Sequence, residues 1–157
     1  MKRSSLYDVY APDDGIVITA FYSNDYGNCI YIGYPDGSAS LQGHNKENMV
    51  KTGDTVKQGQ LIAIMGDTGN GPKHGHLSYF EKGYEALKAK FTSNPIPWLL
   101  RINFYPYNTL VSGTFQERYY TNSKDYYLHE GLDFGTKPVK GWKRGIDARK
   151  QYYYFRR

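Results

Sequence analysis

Hydrophobic and polar residues alternate along this chain in short runs, and turn residues interrupt nearly every run. Val9-Tyr10-Ala11-Pro12 followed by Asp13-Asp14-Gly15 predicts a short strand closed by a tight turn. Residues 16–22 are β-branched and predict a second strand, ended by Ser23-Asn24-Asp25. Residues 29–34 predict a third, turned back by Pro35-Asp36-Gly37, and residues 38–43 another, leading to His44. Residues 50–66 place valines beside the turns at Gly53 and Gly59 and then a buried-looking strand over residues 61–65. The glycine-rich turn Gly69-Asn70-Gly71-Pro72 opens a run through His74 and His76 into Leu77-Ser78-Tyr79-Phe80. One helical stretch of about two turns is predicted at residues 84–90, ended by Asn94-Pro95-Ile96-Pro97. Trp98-Leu99-Leu100 should pack back on the sheet, and residues 101–107 read as a connection. The strand pattern restarts at Leu110-Val111-Ser112-Gly113, passes a polar aromatic stretch over residues 118–127, and fades after Lys137. Strands this short and evenly punctuated predict a mainly β domain: an antiparallel sandwich or barrel-like core with one or two short helices.

Composition sharpens this picture without redirecting it. A chain of 157 residues is long enough for one domain with a real core and short for two. Its 17 tyrosines and 17 glycines suit aromatic packing between strands joined by glycine turns. The single cysteine, Cys29, excludes an intrachain disulfide, and its apolar strand makes it a small core residue. The net charge of +5 favours polyanionic surroundings, either nucleic acid or an anionic cell wall. Outside residues 137–150 and Arg156-Arg157, however, the basic residues are scattered, and no nucleic-acid motif accompanies them. The glycines of residues 66–71 form no phosphate loop, because no Gly-Lys-Ser/Thr follows. Residues 50–65 look like half of a lipoyl or biotinyl carrier hairpin, but the turn Met65-Gly66-Asp67-Thr68 lacks the lysine a carrier requires. No segment approaches the ~20 apolar residues of a membrane span. Residues 1–8 lack the apolar core of a signal peptide, so action outside a cell would need another route.

The chemistry lies in the histidines. His74 and His76 stand two apart, so on a strand their side chains share a face. Two imidazoles side by side begin a zinc site, which needs at least one further ligand and, for hydrolysis, an open position for water. His129-Glu130-Gly131-Leu132-Asp133 offers a histidine and a carboxylate four residues apart. His44 is the fourth histidine.

The sequence around all four resembles the lysostaphin/LytM-type zinc endopeptidases, which cleave peptide bonds in bacterial peptidoglycan. Val9-Tyr10-Ala11-Pro12-Asp13-Asp14-Gly15-Ile16-Val17 is similar to the family's opening strand and turn, and Tyr26-Gly27-Asn28-Cys29-Ile30-Tyr31-Ile32 to its following strand. His44 precedes Val50 by six residues, as the family's central histidine precedes its valine-glycine segment. Residues 68–76 match the threonine-glycine stretch that ends in His-x-His, and Asn94-Pro95-Ile96-Pro97-Trp98-Leu99 the family's closing segment. Residues 112–118 with His129-Glu130-Gly131-Leu132-Asp133-Phe134 resemble its beginning, the His-x-x-x-Asp segment.

That beginning stands after the ending, which implies a circularly permuted single domain. Residues 8–100 would be the family's central and C-terminal part, 101–108 a connection joining the usual termini, 109–136 the usual N-terminal part, and 137–157 a basic tail. The new break, between Phe134-Gly135 and Tyr7-Asp8, is expected in an exposed loop. Lys73 is an extra residue before His74, and Gly75 replaces the family's leucine between the histidines, which suggests a bulge or close approach of substrate.

The resemblance implies one zinc ion per chain held by His129, Asp133 and His76, with His74 as general base. His44 would assist or donate to the oxyanion. It implies cleavage of peptide cross-links or stem peptides of peptidoglycan. The alternative is an inactive family member acting as a wall-binding or regulatory module, against which the full set of ligand residue types speaks. A monomer is expected, or a domain-swapped dimer if the connection were too taut. The setting expected for such an enzyme without a leader is phage-borne, virion-associated or released to act on the wall.

Overall fold

The computed structural model describes residues 5–83, 92–120, 126–139 and 141–142. In chain order these form Asp8–Tyr10 (β1), Gly15–Ser23 (β2), Gly27–Gly33 (β3), Ala39–Asn48 (β4), Thr55–Val56 (β5), Leu61–Met65 (β6) and Gly75–Phe80 (β7). Then follow Pro95–Ile102 (α1), Thr109–Gly113 (β8), Arg118–Tyr120 (β9), Tyr126–Leu128 (β10) and Leu132–Pro138 (β11). All described strand pairs are antiparallel. The main sheet runs β5-β2-β3-β4-β7-β11-β8, with β6 branching from β4 to carry β1, while β9 and β10 form a separate ribbon. The mainly β antiparallel fold expected from the sequence is the one found, with one short helix among the described residues. That helix is too short to cross a membrane.

Strand alternation sorts the side chains into two clusters. On β3, Ile30 and Ile32 enter the main core with Val17, Ile62, Leu77, Leu132 and Phe134. Cys29 faces the opposite way, buried with Ala39, Leu41 and Phe80, in keeping with its reading as a small core residue. The strand expected to end at Gly43 instead continues to Asn48, because it changes partner on the way. Ala39 to Gly43 pair with β7, whereas Asn45 to Asn48 pair with β6. At the changeover Gly43 and His44 together oppose Cys29, a bulge, and His44 takes φ 63°, which non-glycine residues seldom adopt.

The prolines at 95 and 97 begin a helix rather than end one. Asn94 caps α1, its side chain accepting from the Ile96 N–H at 3.1 Å, and Pro95 occupies the first turn, where its missing N–H costs nothing. Trp98 and Leu99 are buried, and the Trp98 ring stacks on Tyr79 with centroids 4.4 Å apart. The helix expected at residues 84–90 lies outside the described residues.

Residues 101–108 are not a bare connection. Arg101 and Ile102 finish α1, and the stretch then threads the core with Tyr105, Tyr107 and Asn108 fully buried. Tyr107 stacks on Phe134 at 4.1 Å and donates its hydroxyl proton to the His76 carbonyl at 3.2 Å. Asn108 donates to the Ser5 carbonyl at 2.9 Å. Gly75 is explained by the same ring: a Cβ there would lie 2.5 Å from Tyr107 Cε1. The close approach at Gly75 is therefore made by Tyr107, and the β7–β11 register carries no bulge at this residue.

The loop expected at Phe134-Gly135 is a strand instead. Both residues lie inside β11, which pairs Phe134 with Val111 and Pro138 with Thr109. The first residues of the predicted basic tail also belong to the fold. Val139 is buried, its N–H donating to the Asn108 carbonyl at 3.2 Å, and Trp142 packs against the core.

Candidate active site

On β7, Leu77 and Tyr79 enter the main core, so His76, Ser78 and Phe80 occupy the opposite face. The β7–β11 register sets Asp133 directly across from His76. His129 precedes Asp133 by four residues and follows β10. Gly131 between them lets this loop press against β7, because a Cβ there would collide with the Leu77 carbonyl. His76 Nδ1 lies 3.1 Å and His129 Nε2 3.0 Å from Asp133 Oδ1. One atom from each of the three side chains falls within 4.8 Å of the others. His74 stands at the rim, its Nε2 3.8 Å from the same oxygen. The bulge in β4 turns His44 toward this group, with its ring 4.2 Å from that of His74 and 6.1 Å from that of His76. All five residues singled out in the sequence thus line one cleft of about 500 Å³.

Each imidazole has one nitrogen fixed by an oxygen acceptor. The Nδ1–H groups of His44, His74 and His129 donate to the carbonyls of Thr68, Pro72 and Thr114, at 2.8, 2.6 and 2.8 Å. A carbonyl can only accept, so each of these histidines carries its proton on Nδ1 and turns Nε2 to the cleft. His76 is reversed: its Nε2 lies 2.7 Å from Ser78 Oγ, and Nδ1 faces Asp133.

Two imidazole nitrogens and a carboxylate oxygen therefore converge at about 3 Å. With neutral rings their lone pairs would oppose one another unless a cation or protons sat among them. Burial works against charge on Asp133, but hydrogen bonds with His129 and His76 outweigh it and hold its carboxyl well below the usual range. Burial dominates at His76 and lowers its pKa, whereas at His129 the neighbouring Asp133 overcomes burial and raises it. His44 is pushed down to about 4, chiefly by burial, and is neutral near pH 7. Two nitrogens and one carboxylate oxygen, pre-oriented by their outer partners, suit a tetrahedral divalent metal that keeps an open position.

Sequence reasoning gave no role to several residues that complete this arrangement. Tyr26 packs its ring 4.9 Å from His76 and hydrogen-bonds Glu130 across the cleft; burial, then Glu130, raises its pKa. Tyr119, from the β9–β10 ribbon, donates to Asp133 Oδ2 at 3.2 Å and lies over His129 with centroids 4.8 Å apart. Thr68 and Thr114 contribute through their carbonyls, which no side-chain pattern announces.

Residues 2–88 match Peptidase family M23. The chain belongs to that family. The family match ends before His129 and Asp133, although those residues complete the cluster begun by His76. Among curated M23 relatives, the murein hydrolase activator EnvC of Escherichia coli is 34% identical over 94 residues, covering 60% of this chain and 21% of that protein. The peptidoglycan DD-endopeptidase ShyC of Vibrio cholerae is 36% identical over 77 residues, covering 48% of this chain and 18% of its own length. The chain thus spans about a fifth of the length of these two relatives. Among solved structures, the catalytic domain of lysostaphin from Staphylococcus simulans superposes with a TM-score of 0.55 at 29% identity, covering 62% of this chain and 74% of that one. LytU gives a TM-score of 0.53 at 28% identity, covering 58% and 63%.

Proposed function

We propose that this M23 chain is a zinc-dependent endopeptidase that hydrolyses peptide cross-links or stem peptides of bacterial peptidoglycan. The observation that carries the reading is the convergence of His76 Nδ1, His129 Nε2 and Asp133 Oδ1, with the other nitrogen of each ring already held by an oxygen. These three residues would hold the metal, which when bound would polarise the scissile carbonyl and activate water. His74 Nε2, turned to the cleft at its rim, takes the proton of the attacking water and returns it to the leaving amine. Of the two roles implied for His44, its tautomer favours assistance to His74, because neutral His44 turns an acceptor, not a donor, to the cleft.

In this reading residues 8–100 and 109–136 are the two parts of a permuted M23 domain, and the site closes within one chain. The family match that stops at residue 88, while β11 completes the cluster beside β7, supports the permuted order. A second reading, a non-hydrolytic regulator of other wall enzymes, draws on the relative named as a murein hydrolase activator.

The deciding experiment measures zinc content and hydrolysis of cell walls with several cross-bridge types. About one zinc per chain is expected, with chelation abolishing wall degradation and zinc restoring it. Protein that stays metal-free in excess zinc and leaves every wall intact would refute the enzyme and leave the regulator.

A further inference from the structure

Three of the four cleft histidines are held by backbone carbonyls, groups that a side-chain substitution cannot remove. His76 has no carbonyl behind its ring; its outer nitrogen, Nε2, lies 2.7 Å from Ser78 Oγ. Ser78 stands two residues further along β7 and so shares the face of His76, with 1% of its surface exposed. Its Oγ also lies 3.2 Å from the Glu130 carbonyl. A hydroxyl has one proton; given to the Glu130 carbonyl, it leaves the oxygen able to accept from His76. Toward His76, Ser78 is then an acceptor and takes the Nε2–H.

We infer that Ser78 is the positioning residue that accepts the Nε2–H of His76 when its Nδ1 is given to a metal ion, and so holds the ring in place as a ligand. This rests on the metal-site reading above. Without the hydroxyl, the buried Nε2–H has no partner, and an unmet buried donor is disfavoured. The opposite tautomer, whose Nδ1–H is given to Asp133 Oδ1 at 3.1 Å, would then compete more strongly with the metal. Ser78 also couples the two ligand-bearing segments. Its bond to Glu130 ties the loop between His129 and Asp133 to β7. Partners of this kind behind a metal ligand are worth about 10–100-fold in metal affinity.

The test has two arms. The first follows the His76 Nε2–H proton by nitrogen-15 NMR in the zinc-loaded wild-type protein. A downfield, slowly exchanging proton, as expected of one given to a buried hydroxyl, should be seen, and its absence would overturn the inference. The second compares zinc affinity, by competition with a chromophoric chelator, in wild type, Ser78→Ala and Ser78→Thr. Ser78→Ala should bind zinc about 10–100-fold more weakly, and Ser78→Thr, which keeps the hydroxyl, should recover most of the loss. Affinity of Ser78→Ala within twofold of wild type would overturn the inference. Should Ser78→Ala not fold, the wild-type Nε2–H signal still decides the matter. Absence of zinc binding by the wild type itself would instead overturn the metal-site reading.

Discussion

The contact between Gly75 and Tyr107 predicts a substitution whose effect on stability changes sign with its neighbour. A methyl group at position 75 would sit 2.5 Å from Tyr107 Cε1 and 3.1 Å from Cδ1 and Cζ. Carbon atoms prefer about 3.5–4.0 Å, so the ring must retreat by roughly 1 Å. It has little room to do so, being fully buried, stacked on Phe134 and hydrogen-bonded to the His76 carbonyl. Gly75→Ala should therefore cost about 1–3 kcal/mol, the usual range for overpacking. Tyr107→Ala should cost about 3–5 kcal/mol through lost burial and the cavity left behind. In that background the clash is gone, and alanine in a strand is favoured over glycine by about 0.5–1 kcal/mol through reduced chain entropy. Gly75→Ala should then stabilise, which amounts to a coupling of about 1.5–4 kcal/mol. Urea denaturation of the four proteins of the cycle, with chelator present to remove any metal contribution, measures all these quantities. Equal destabilisation by Gly75→Ala in both backgrounds would refute the packing argument.

The strand histidines should separate by function. His76→Ala should lose metal, whereas His74→Ala should retain it and lose turnover by roughly 10²-fold or more, as zinc analysis and single-turnover hydrolysis would record. Equal metal loss in both variants would place His74 among the ligands. Light scattering should give a monomer of 18.0 kDa, because His76, His129 and Asp133 meet within a single chain. A dimer whose zinc is lost on dilution would indicate a site completed by exchange between chains.

The strands were legible because β-branched and aromatic residues alternate between glycine turns, and the face of the histidines followed from that alternation alone. The sequence misled where one residue serves two purposes. Pro95 and Pro97 read as a stop, since proline breaks a helix interior, yet behind Asn94 they open α1. His44 looked like the end of a strand because the residues after it lose their alternation, which is what a bulge and a change of partner do. Gly135 read as a loop although Phe134 before it pairs with strands on both sides. Residues 101–107 read as a connection, but the rings of Tyr105 and Tyr107 stand in the core. Ser78, Tyr119 and the carbonyls of Thr68, Pro72 and Thr114 were out of reach. They matter only through what the fold sets beside them.

The place of β11 between β7 and β8 has a consequence for synthesis. Asp133 follows His76 by 57 residues, so at 5–20 residues per second a ribosome adds it roughly 3–11 s later. Through that interval β7 can pair with β4 on one side, but its other edge has no neighbour, because β8 and β11 both lie downstream. An open edge of this kind is a template for wrong pairing with other chains. The histidines made first meanwhile lack the carboxylate that gathers them. Until then β7 presents an open edge and an incomplete cluster together, and insertion of β11 closes both in one step.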